Sequence, residues 1–241
     1  MNAVVSLRGL NKSYALKGTE LSVIRDLCID FSAEGITVVV GKSGCGKTTL
    51  LKLIAGLEKP SSGTILIPQG MKTGVVFQEA RLMPWLTVEK NIAFGLHGRS
   101  AQDSGAIREL IELVGLAGFE KAHPDQLSGG MQQRAALARA LAIDPDLLLM
   151  DEPFAALDYF TRAAMQKELL RIQKARGIGV LMVTHNLDEA LLLGDHLICM
   201  ERGGIPQRHE LPGDGKENRD VYSEPFNSIR RSILDQMQRS N

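Results

Sequence analysis

The chain has 241 residues, 44% hydrophobic and 23% charged, which is enough apolar material for one large domain with a buried core. Its 28 basic and 28 acidic residues cancel, which excludes the overall positive field of a nucleic-acid binder but not a local patch. No apolar run approaches the roughly 20 residues that span a bilayer, so any membrane function would need a partner to supply the membrane.

The segments Val4–Leu10, Leu21–Phe31 and Ile36–Val40 read as strands. The last, ITVVV, is β-branched almost throughout, as suits a strand buried on both faces of a parallel sheet. Apolar residues at Leu50, Leu51, Leu53, Ile54 and Leu57 follow helical spacing, closed by Gly56 and Pro60. TILI and TGVVF read as two strands around the turn-prone PQG. From Thr87 to Ala142 the pattern is helical, with AIRELIELVGL and MQQRAALARALA the clearest helices. A strand DLLLM, a helix around TRAAMQKELLRIQKA, a strand VLMVT, a helix NLDEALLLG and a strand HLICM follow. Strand–helix alternation with a helical insert predicts an α/β domain built on a mostly parallel sheet. Residues 211–241 are polar, then weakly amphipathic, and read as a short C-terminal tail rather than a further domain. The N-terminus MNAVVSLRGL has no signal-peptide pattern. Cys28, Cys45 and Cys199 show neither metal spacing nor a disulfide framework, which suits a reducing, cytoplasmic setting.

Gly41-Lys42-Ser43-Gly44-Cys45-Gly46-Lys47-Thr48 fits G-x-x-x-x-G-K-[ST] at every fixed position, between a buried-looking strand and a helix. Glycines let the backbone fold tightly, so that its N–H groups converge on phosphate oxygens. The helix start adds its positive end. Lys47 can reach the β- and γ-phosphates, and the Thr48 hydroxyl can take Mg²⁺; Thr49 completes the stretch. This arrangement calls for a nucleoside triphosphate. Leu127-Ser128-Gly129-Gly130 opens a second helix with exposed N–H groups. On its own it is equally an N-cap serine followed by loop glycines. DLLLMDEPF ends an apolar strand in two carboxylates, Asp151 and Glu152. Successive strand residues face opposite ways, so the two cannot do the same job.

With these motifs in this order, the sequence resembles the ATP-binding-cassette ATPases from about Tyr14 to Glu201. The resemblance implies a P-loop cassette over residues 1–210: a mostly parallel core, an N-terminal antiparallel β subdomain and a helical subdomain at about 79–142. It also implies a head-to-tail homodimer in which Ser128, Gly129 and Gly130 act on the nucleotide held by the other subunit. Met131 stands where the signature usually has Gln. By the same resemblance Asp151 holds Mg²⁺, and Glu152 deprotonates the attacking water. His185 resembles the switch histidine that contacts the γ-phosphate. Gln78 resembles the glutamine that touches Mg²⁺ or water, Asp158 the loop that crosses the dimer interface, and Tyr14 the ring that stacks on adenine. From the residues alone, Asp158 is equally a helix N-cap, and Gln78, Tyr14 and His185 are equally polar or structural positions.

Three uses of the ATP energy compete: a transporter motor, a cassette acting on a soluble macromolecule, and a nucleotide-operated regulatory switch. The single phosphate loop, with no long heptad insertion or basic run, argues against the second. The full set Lys47, Thr48, Asp151, Glu152 and His185 argues against the third. EARLMPWLTVEKNIAF, with the only tryptophan, Trp85, offers a patch for a partner helix, or equally a packed segment of the helical subdomain. Its wording, with PFAALD and LSGGM, resembles importer cassettes for nitrate, taurine and aliphatic sulfonates. The resemblance implies a peripheral protein on the cytoplasmic face of the membrane, bound to integral permease subunits and fed indirectly by an extracytoplasmic substrate-binding protein. No nucleic-acid partner is expected. Lys42, where many relatives have Pro, is a departure without an interpretation. Cys45 is expected to make nucleotide binding sensitive to thiol reagents, unless it is buried and inert.

Overall fold

A computed structural model of the chain describes residues 4–16, 18–96, 104–201, 206–212, 216 and 219–239. His97 and parts of the expected tail lie outside these residues. The chain divides into two compact units, Met1–Gly70 with Gly179–Asn241, and Met71–Ile178.

The first unit holds two sheets. Strands β1 (Val4–Leu16), β2 (Thr19–Ser32) and β4 (Ser62–Leu66) form an antiparallel sheet in the order β2-β1-β4. Val5 pairs with Phe31 and Leu7 with Ile29; Val5, Leu7 and Phe31 are buried. Register shifts follow Leu7, and Asn11 bridges the irregularity by donating to the Gly9 carbonyl and accepting from the Asp26 N–H. Both strands run further than the hydrophobic pattern indicated. The extension Asn11-Lys12-Ser13-Tyr14 is mostly polar, and its ladder is held by backbone pairing rather than by an apolar face.

Strand β3 (Ile36–Val40) is buried at all five positions. It lies parallel to β7 (Gly179–Thr184) on one side and β8 (His196–Cys199) on the other. This is the two-sided burial that ITVVV calls for. An edge strand, β9 (Gln207–Glu210), runs antiparallel to β8. Its sequence QRHE has no apolar alternation, so only the backbone ladder defines it. Helices α1 (Lys47–Ile54) and α6 (Leu187–Leu193) follow β3 and β7.

The stretch expected as a tail contains a 16-residue helix, α7 (Glu224–Arg239), with Phe226 and Ile233 buried. Arg219 stacks on Phe226 and donates to the carbonyls of Leu191 and Gly194, closing the end of α6. Arg230 pairs with Asp188. The terminus therefore contributes to the unit's packing.

In the second unit β5 (Thr73–Val76) and β6 (Leu147–Asp151) pair in parallel, with Val76 opposite Met150. Helices α2 (Val88–Ala93), α3 (Ser104–Leu113) and α4 (Gly129–Ala142) pack on one another, and α5 (Tyr159–Arg176) follows β6. Ala135, Ala136, Ala138 and Ala140 are buried on α4, and such small side chains allow close approach of neighbouring elements. This unit is wider than the helical insert expected at 79–142, because two strands and α5 cluster with the helices.

Asp195 joins three parts of the first unit. Its carboxylate accepts the N–H of fully buried Ile36 at 2.7 Å and pairs with Lys216 at 2.5 Å. Asp195→Ala strands a buried donor, so urea denaturation should show a loss of about 1–3 kcal/mol.

Candidate functional site

Gly41 directly follows β3, and its backbone is pressed against β8's continuation. A Cβ there would lie 2.2 Å from the Met200 carbonyl oxygen and 2.8 Å from the Cys45 sulfur. Gly46, the residue before α1, has φ 105°, in the left-handed region that favours glycine. These two positions begin and end the six residues, Gly41 to Gly46, that turn the chain from strand to helix. Lys47 is 6% exposed, and its ammonium donates to the carbonyls of Gly41 at 2.8 Å and Lys42 at 3.1 Å. Lys42 contributes that carbonyl, which also accepts the Cys45 N–H, while its side chain is exposed. Ser43 and Gly44 are exposed on the loop and Thr48 on the first turn of α1, and a Cβ on Gly44 would meet nothing within 4 Å.

The helix starts differ in charge. Thr87 caps α2 and Asn186 caps α6, and each of those helices has acids in its first turn. Helix α1 has neither a side-chain cap nor a first-turn acid, and α4 is capped by Ser128 without an acid. The positive ends of α1 and α4 are thus not offset by a first-turn acid. Ser128 accepts the Met131 N–H at 3.3 Å; it and Gly129 are exposed, whereas Gly130 packs near Leu157.

Registers bring the remaining residues to strand ends. Val40 pairs with Thr184, so Gly41 and exposed His185 leave neighbouring parallel strands at the same level. In the second unit Val76 pairs with Met150, so Gln78 and the Asp151–Glu152 pair likewise leave adjacent strand ends. The carboxyl ends of parallel strands are where open α/β sheets bind ligands. Asp151 is 5% exposed, and Glu152 is more accessible. Glu152 sits at φ 44°, a left-handed conformation uncommon for residues other than glycine and shared here with Asp26, Arg81 and Asp144. Asp158 accepts the N–H groups of Phe160 and Thr161, each at 3.1 Å, and so caps α5. A hydrogen bond with the Thr161 side chain first, then these N–H groups, hold its carboxyl below the usual range.

Tyr14 is half-buried beside α1. Its hydroxyl donates to Glu58 at 2.5 Å and lies 3.4 Å from the Thr49 hydroxyl. The Lys12 ammonium sits over its ring, 4.9 Å from the centroid. Burial first, then the Glu58 contact, pushes the Tyr14 phenol up; the same hydrogen bond, with Lys12 and Lys52, holds Glu58 low.

Several residues with a part in the site carried no signal in the sequence. Gln133 donates to the Phe77 carbonyl at 2.8 Å, and Arg139 donates to those of Ala80 and Arg81 at 2.8 and 2.7 Å. Both stand on α4, so the Ser128 helix holds the Gln78 loop from either side. Buried Asn91 accepts the Met83 N–H and donates to the Leu86 carbonyl, bracketing the loop that displays Trp85 at 70% exposure. The Cys45 thiol is buried, and burial pushes its pKa up despite nearby Lys47, an environment that suits the buried alternative better than a reactive thiol.

A phosphate loop on a buried parallel strand, with acids closing another strand, defines a P-loop nucleotide-binding protein of the α/β class. Comparison with known sequences takes this further. The profile of the ABC transporter family matches residues 24–155. The chain is 39% identical to an aliphatic sulfonates import ATP-binding protein, SsuB, of Bacillus cereus, over 98% of this chain and 96% of that one. It is 42% identical to a taurine import ATP-binding protein, TauB, of Burkholderia pseudomallei, over 94% of each. Among solved structures, the ATP-binding cassette MJ0796, a dimer in a post-hydrolysis state bound to ADP and Pi, superposes with a TM-score of 0.80 at 29% identity. That match covers 87% of this chain and all of the other. The chain belongs to the ABC transporter family as one of its ATP-binding cassettes, and it is an ATPase. The expected architecture, with a mostly parallel core, an antiparallel β subdomain and an inserted helical part, is that of the solved cassettes.

Two outcomes follow from these contacts. With maleimide at pH 7, mass spectrometry should find exposed Cys28 modified well before Cys45 or Cys199, whose thiol burial pushes up to about 11. Arg139→Met should accelerate amide hydrogen exchange at residues 77–82 relative to β6, because the loop carbonyls lose their shared donor.

Proposed function

We propose that the chain is the ATP-hydrolysing subunit of an importer, driving a small solute through a separate integral permease from the cytoplasmic face of the membrane. Full-length likeness to two import ATP-binding proteins, at 39% and 42% identity, carries this reading. The exposed Trp85 segment supports it as a surface for a permease helix. No helix among the described residues is long and apolar enough to cross a membrane. The finer reading is a sulfonate- or taurine-type solute, delivered to the permease by an extracytoplasmic binding protein.

In this reading the phosphate loop, Gly41 to Thr49, receives the ATP phosphates, and Lys47 exchanges its loop carbonyls for β- and γ-phosphate oxygens. Thr48, Gln78 and Asp151 would hold Mg²⁺, whose charge neutralises the transferring phosphate when bound. Their oxygen donors suit that ion, which takes few protein ligands and completes its shell with phosphates and water. Glu152 takes the proton of the attacking water, Gln78 helps orient that water, and His185 donates to the γ-phosphate. Two copies pair head to tail, so that Ser128, Gly129 and Gly130 of one act on the nucleotide bound by the other. Asp158 lies on that interface while it caps α5.

Glu152→Gln should lower kcat by about 10²–10⁴-fold, the usual contribution of a general base, and accumulate an ATP-bound dimer on light scattering. A monomer with ATP would overturn the trans geometry. Gentle purification of the tagged protein from its own cells should bring down a polytopic membrane protein in equal amount. Recovery with ribosomes, with DNA or with no membrane protein would overturn the importer reading.

A further inference from the structure

Resting on the reading that Tyr14 stacks on the nucleotide base, we propose that Glu58 is a positioning residue that sets the Tyr14 ring for the base, with Lys12 closing the ring's other face. The contacts are specific. Glu58 follows α1, the helix whose first turn carries Lys47 and Thr49, and its backbone N–H bonds the Lys52 carbonyl on that helix. Its carboxylate accepts the Tyr14 hydroxyl at 2.5 Å and is held by Lys12 at 3.4 Å and Lys52 at 3.6 Å. Lys12 in turn donates to the Lys59 carbonyl at 2.8 Å, so its ammonium is fixed above the ring rather than free in solvent.

Three consequences follow from this cluster. A tyrosine on a strand can rotate about two side-chain bonds, and the Glu58 bond removes that freedom before a base arrives, which lowers the ordering cost of stacking. An ammonium 4.9 Å from the centroid leaves no room for a base on its side, so only the opposite face can stack. The Thr49 hydroxyl, 3.4 Å from the Tyr14 oxygen, places the ring against the same helix turn that follows Lys47. Base and phosphate subsites are thereby referenced to one rigid element, α1. A carboxylate placed only for surface charge would not need its strongest partner to be an aromatic hydroxyl.

The test measures dissociation constants by calorimetry for ATP and for inorganic tripolyphosphate, which has no base. Glu58→Ala should weaken ATP by about three- to tenfold, the cost of ordering one side chain on binding, and leave tripolyphosphate binding as in the parent protein. Glu58→Gln keeps an acceptor for the hydroxyl and should restore most of the ATP affinity. Tyr14→Phe keeps the ring but not the hydroxyl and should match Glu58→Ala, with no further loss when the two are combined. Equal ATP affinity for Glu58→Ala and the parent, additive losses in the double variant, or a parallel loss of tripolyphosphate binding would each overturn the positioning role. Tyr14→Ala separates the two layers. If it binds ATP as the parent does, the base-stacking reading itself falls. If it loses ATP affinity while Glu58→Ala does not, stacking stands and only the role of Glu58 falls.

Discussion

The close approach of the Gly41 backbone to the Met200 carbonyl is the constraint on which the first unit's site depends. A side chain there would meet backbone at 2.2 Å, which no rotamer can relieve. Because β3 is buried on both faces and hydrogen-bonded on both edges, it cannot shift to make room. The loop therefore leaves the sheet along one path, and Gly46 at positive φ starts α1 at once. Lys47 is then folded over the loop, with its ammonium already desolvated and held by carbonyls that an anion can replace. His185 reaches the same level only because β7 is in register with β3.

In the second unit the organising element is α4. Its first residues carry the exposed Ser128 and Gly129, and its middle carries Gln133 and Arg139, whose hydrogen bonds grip the chain on both sides of Gln78. A rigid helix holding both ends of a functional loop converts movement of one into movement of the other. The Trp85 loop is organised from the same side, by a buried asparagine on α2. In the proposed importer the permease surface and the signature residues are thus connected through packed helices of one unit, without a flexible linker between them.

Several side chains serve two purposes. Asp158 caps α5 and, in the proposed dimer, faces the other subunit; the two readings of it made from sequence are compatible. Glu152 directly follows the buried strand β6 and, in the proposed role of general base, sits in a left-handed conformation that costs free energy locally. Conversely, the thiol in the phosphate loop is buried, and its sulfur lies where a side chain on Gly41 would have to go.

What the sequence determined by itself was whatever depends on local spacing. The phosphate loop, the Ser-Gly-Gly helix start, the acidic strand end and the buried strand ITVVV each require neighbours within a few residues, and composition alone displays them. The family follows from their order. Tertiary structure alone decided the features whose partners are distant in the chain. The edge strand QRHE exists through its ladder with β8, and α7 through burial of Phe226 and Ile233, where the polar composition suggested a tail. Glu58 meets Tyr14 across 44 positions, and Arg139 meets Ala80 across 59. No periodicity encodes such contacts. They arise because a buried or half-buried polar group must find a partner wherever the fold places one.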